Sequence, residues 1–208
     1  ETGSQEDIAH ADGPELRDVG KRYCTRSRAV CHAVGHLLYI GYGNYKDALT
    51  ACDDVAPNED SAETCYEGVF MEASSPDTRL YLDGEAPTEI AADPGVLCTS
   101  LAVKYRHACF LQLPPMLELI FERDDVRDTV ERFEIAAEIC TRSDKADRSD
   151  CFDGIGFWVG LNRVFDGEKS GMSQGSVCEI AAMKDDRLAC TLGFAQMIVQ
   201  TNRKVAFE

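Results

Sequence analysis

The chain has 208 residues, 44% of them apolar, and its 21 Lys and Arg against 37 Asp and Glu give a formal charge of -16. That balance opposes binding to nucleic acid or anionic membrane and favours cationic partners, and no apolar run approaches the roughly 18 residues a spanning helix needs. Ten cysteines, an even number, point to an oxidising compartment and hence to a secreted, periplasmic or extracellular protein.

Residues 1–20 are expected to form a flexible acidic segment, and ETGS at its start reads as a remnant of a secretion vector, in keeping with export. Residues 21–208 are expected to be a single helical-repeat domain. No Asn-x-Ser/Thr sequon occurs. The cysteines fall into five sequential pairs, at 24 and 31, 52 and 65, 98 and 109, 140 and 151, 178 and 190. Three residues before the second cysteine stands an arginine at 28, 106, 148 and 187, with Ala62 the exception. Directly after it come His32, Tyr66, Phe110, Phe152 and Thr191. Glycine follows at three residues in Gly68, Gly154 and Gly193, and at four in Gly35. The second cysteines lie 34, 44, 42 and 39 residues apart, the length of a helix-pair repeat.

Taken along the chain, Tyr45 to Cys52 reads as a helix, and residues 74–97, with three prolines, read as an insertion that interrupts the array. Pro114-Pro115 should kink or restart a helix. From Asp124 to Cys140 the spacing of Val126, Val130, Phe133, Ala137 and Ile139 or Cys140 predicts a helix with its acidic start at the positive end of the dipole. Ser149 and Asp150 are candidate caps for a helix through FDGIGFWVGLNRVF that ends at Asp166-Gly167, and Cys190 to Gln200 is again helical. Nothing sustains a period of two.

Each unit is therefore expected to be a helix ending near the first cysteine and a second helix beginning at the next. Of about 945 possible pairings, the repeat favours the sequential one: Cys24–Cys31, Cys52–Cys65, Cys98–Cys109, Cys140–Cys151 and Cys178–Cys190. Cys24 and Cys31 lie two turns apart in an unbroken helix, about 10 Å, so the chain must break between them if they are bonded. The early glycines are read as points where neighbouring helices approach closely.

Residues 35–56, GHLLYIGYGNYKDALTACDDVA, resemble a Sel1-like repeat. The disulfide frame is similar to that of bacterial cysteine-rich Sel1-like proteins, themselves related in design to TPR arrays. The arginine before the second cysteine stands outside that family's pattern. The resemblance implies an all-α solenoid of about five stapled units and protein interaction through a concave surface.

CHAVGH, residues 31–36, is the sharpest chemical feature. If Cys31 is oxidised, His32 and His36 would need a further ligand, such as His107, to hold a metal or haem, whereas aromatics at the His32 position elsewhere favour a packed or hydrogen-bonded histidine. Asp144, Asp147, Asp150 and Asp153 lack the alternate oxygens and terminal glutamate of a calcium loop and read as a capping stretch. The arginines are expected to pair with local carboxylates or helix ends. No GxSxG, SxxK or HExxH occurs, so the chain is expected to be a protein-binding module without catalysis or cofactor, its partner presenting a basic surface. Tyr42, Tyr45, Tyr81 and Asp83 are the candidate contacts. The alternatives are a metal- or haem-binding protein and a hydrolase or binder directed at cell wall.

Overall fold

A computed structural model describes residues 13–75, 92–161 and 174–205, and all regular structure among them is helical. The chain divides into two compact units, residues 1–88 and 89–208.

The first unit holds α1 (Gly13–Tyr23), α2 (Arg28–Tyr42), α3 (Tyr45–Val55) and α4 (Glu59–Ala73). Ser27, Asn44 and Asn58 open α2, α3 and α4, each accepting a backbone N–H three residues on, which satisfies a donor that the first turn leaves unpaired. Gly43, at φ 68°, closes α2 in the left-handed conformation, which costs a residue without Cβ nothing. The segment expected to be flexible up to residue 20 is corrected here: α1 starts at Gly13, because Leu16 and Gly20 are buried against the following helices. Around Leu38, Tyr39, Leu49, Val69 and Phe70 the core of this unit is closed to solvent.

In the second unit are α5 (Pro94–Ser100), α6 (Val103–Leu111), α7 (Leu113–Arg123), α8 (Thr129–Thr141), α9 (Lys145–Gly160), a 3-10 helix (Gln174–Ile180) and α10 (Lys184–Val205). Pro114-Pro115 does restart the helix: Gln112 separates α6 from α7, whose first turn tolerates proline because its N–H groups lack intrahelical partners anyway. The helix expected from Asp124 begins later. Asp125 takes φ 53°, and Asp128 caps α8 by accepting from Val130 and Glu131, so Ala136 rather than Ala137 turns inward. Asp144, not Ser149 or Asp150, caps α9, which closes at Leu161; residues 166–167 lie outside the described residues. Most of the expected insertion, residues 76–91, also lies outside them, while its end, from Pro94, is helix α5.

All five disulfides are sequential. Cys24 sits in the break between α1 and α2, as its bond to Cys31 requires. The second cysteines do not open their helices: in α4, α6, α9 and α10 each is the seventh residue, nearly two turns in and fully buried. That depth places the bond in the core and leaves the first two turns to carry the polar residues that link helices.

Candidate functional site

Two helix contacts gather the side chains capable of chemistry. In the first unit α2 and α4 cross at Gly35 and Gly68. A Cβ on Gly35 would overlap the carbonyl of Cys65, and one on Gly68 the carbonyl of His32, so the two backbones touch. This brings the histidines of α2 alongside α4. His32 and His36 share a face one turn apart, with ring centroids 4.9 Å apart and edge to face. His36 Nδ1 lies 2.5 Å from Glu72 Oε2, a half-buried, charge-assisted contact. His32 Nδ1 is 3.9 Å from Glu67 Oε2. Burial, and then the charge of His36, hold the His32 imidazole below its ordinary pKa, against a hydrogen bond to the Thr64 backbone. Cys31 is oxidised and cannot serve as a thiolate.

His107 lies in the second unit, on α6, with Nδ1 3.1 Å from Asp150 Oδ2 of α9. Among the described residues no three His, Cys, Asp or Glu side chains are arranged to hold a metal ion. Each of the three histidines named as possible ligands thus faces a carboxylate on the next inner helix of its own unit.

The arginines before the second cysteines form a directional ladder. Arg106 Nε donates to the Leu101 carbonyl at 3.0 Å, and Arg106 Nη1 to Asp147 Oδ2 at 3.2 Å. Arg148 Nε donates to Asp186 Oδ1 at 2.8 Å, and its Nη2 bonds Asp186 Oδ2 and the Met183 sulfur. Helix α9 receives at Asp147 and α10 at Asp186, each four residues before its cysteine, and α9 donates onward from Arg148, the residue that follows. Arg28 has Ser61 at the corresponding place in α4 and instead donates to Thr64 Oγ1 at 3.2 Å. The carboxylates are therefore supplied by the next unit of the repeat rather than locally. Burial raises the carboxyl of Asp147 above its usual range, with Asp144 adding and Arg106 opposing. Burial likewise raises Asp153, with His107 opposing. A cleft of about 400 Å³, lined by Lys145, Ser149, Met183 and Asp185 among others, opens beside the Arg148–Asp186 pair.

The candidate contact tyrosines fare differently. Tyr45, 5% exposed, packs inward at the start of α3 beside Phe70, and Tyr42 is half-buried with its ring over Gly13. Tyr45 is therefore not the exposed anchor expected of it, since it completes the core of the first unit, while Tyr42 keeps part of its surface exposed. Tyr81 and Asp83 lie outside the described residues. What sequence reasoning missed is the partner set Glu72, Asp147 and Asp186, and a row of exposed apolar side chains on α10. The signal for the aspartates was available: each stands four residues before a second cysteine, in the unit after one that carries an arginine.

The fold and these contacts define an all-helical, disulfide-stapled helix-pair repeat protein. No protein-family model, curated protein or solved structure matches the chain.

Proposed function

We propose that the chain is an exported protein-binding module whose partner presents a basic surface, a member of the Sel1-like kind in which stapled helices hold a recognition surface. The observation that carries this reading is an exposed row of carboxylates on α8. Arg106, Arg148, His36 and His107 are engaged between helices with Asp147, Asp186, Glu72 and Asp150. On α8, Glu131, Glu134 and Glu138 are exposed at helical spacing and form one acidic stripe. With a formal charge of -16, such a surface steers a cationic partner from a distance. Five disulfides suit this role outside the reducing cytosol, and no described helix is long and apolar enough to cross a membrane.

The experiment is capture from the native secretome or cell surface, followed by association kinetics with the partner it identifies. The rate should fall steeply as salt rises, and charge reversal of Glu131, Glu134 and Glu138 to Lys should slow it by roughly 10-fold. A salt-independent rate would count against a basic partner.

A further inference from the structure

The outward face of α10 corresponds, residue by residue, to the face on which α9 seats α10. Aligned on Cys151 and Cys190, both helices begin six residues before the cysteine, and Asp147, Arg148 and Gly154 correspond to Asp186, Arg187 and Gly193. The α9 face that receives α10 runs through Arg148, Asp153, Gly156 and Gly160, which meet Asp186, Gly193, Cys190 and Met197. The corresponding residues of α10 are Arg187, Leu192, Ala195 and Val199, with Leu188 alongside. Leu188, Leu192 and Val199 are 57%, 58% and 52% exposed, and with Ala195 they form one stripe along the helix. An exposed row of this kind marks an interaction surface more often than chance exposure.

Two observations specify what would cover it. The first is charge. Arg187 Nη1 donates to the carbonyl of Ala181 at 2.8 Å, three residues past the first cysteine of its pair, as Arg106 does to Leu101. Arg106 also holds a carboxylate from the next helix, and among the described residues no carboxylate plays that part for Arg187. Second, shape: Gly156 lets the backbone of α10 touch α9, whereas the methyl of Ala195 and the leucines beside it keep an incoming helix at the ordinary separation of about 8–10 Å.

We infer that the outer face of α10 docks an amphipathic helix of a partner protein, apolar at i, i+4 and i+7 and carrying a carboxylate in its first turn that pairs with Arg187. The inference rests on the reading of the chain as a binding module and names the chemistry of its partner.

The probe is a synthetic, fluorescently labelled amphipathic helix with a leucine stripe at that spacing and an aspartate in its first turn, titrated into the full oxidised chain. Saturable binding is expected, abolished by Leu192→Asp and unaffected by Glu131→Lys, with circular dichroism and the disulfide map unchanged in both variants. Arg187→Ala and an aspartate-to-asparagine change in the peptide should each weaken binding about 10-fold, and together no more than either alone. Absence of peptide binding, equal binding to Leu192→Asp, or additive losses would overturn the inference. So would a dimer of the full chain that Leu192→Asp dissolves, since the occupant would then be a second copy. Capture of the native partner undiminished by Leu192→Asp would sink this inference and leave the binding-module reading standing. Failure of the wild-type chain to capture any native partner, with the peptide still bound, would reverse that outcome.

Discussion

In the first unit α2 and α4 meet at Gly35 and Gly68, and in the second α9 and α10 meet at Gly156 and Gly193, each glycine facing backbone of the opposite helix. Around this shared seat the polar residues differ. The first contact is bordered by His32 and His36 facing Glu67 and Glu72, the second by Arg148 facing Asp186. Histidine titrates near neutral pH and arginine does not, so the first contact gains charge on mild acidification at its histidines, whereas the second answers through carboxylates such as Asp153. Conserving the glycine seat fixes how closely helices approach, and the border residues are then free to vary in what they sense.

The largest expected break in this comparison is Arg148→Ala. It strands the Asp186 carboxylate, 5% exposed, and should destabilise the second unit by about 3 kcal/mol in urea unfolding. The matching change in the first unit, Arg28→Ala, loses only a hydrogen bond to a hydroxyl, about 1 kcal/mol. Equal losses would show that the Arg148–Asp186 pair contributes no more than the contact of Arg28 with a hydroxyl. Next in size, replacing Cys140 and Cys151 together by alanine should cost about 2–3 kcal/mol through the freed chain entropy of the unfolded state.

The seat itself can be tested with Gly156→Ala, whose methyl would overlap the Cys190 carbonyl, so α9 and α10 must separate at a cost of about 1–3 kcal/mol. Gly160→Ala on the same helix meets the flexible Met197 side chain first and should cost less. If both change the melting temperature alike, the backbone contact is not what sets the helix spacing.

The smallest effect is that of pH. His32 has a lowered pKa in the folded state, so the unfolded chain binds its proton first, and the first unit should lose stability as pH falls from about 6.5, the ordinary value, through the folded value. Asp147 and Asp153 are raised. Their ionised forms penalise the folded second unit at neutral pH, and that penalty should be relieved as pH falls through their folded values, above the ordinary carboxylate range. Hydrogen exchange resolved by unit should show opposite trends, and His32→Phe, which places at 32 the aromatic found at 110 and 152, should flatten the first.

Much of this was legible beforehand. The helical period, the sequential staples, the restart at Pro114-Pro115 and the close-approach glycines all rest on interactions within about one turn of the residue or on the cysteine frame. The partners of His36, Arg106 and Arg148 were not, because they stand 36, 41 and 38 residues away along the chain and meet only when helices pack. Helix starts were misplaced at Asp124 and Ser149 for a related reason. Asp, Ser and Asn cap wherever their side chains reach free N–H groups, and several candidates stood close together.

By itself the amino-acid sequence determined an all-helical, sequentially stapled chain, since periodicity and cysteine spacing are local properties. Tertiary structure alone decided that Tyr45 turns inward, that the histidines face glutamates, and that α10 leaves Leu188, Leu192 and Val199 uncovered. A side chain is buried or exposed according to what the neighbouring helix leaves beside it, and that neighbour is chosen only once the whole unit has packed.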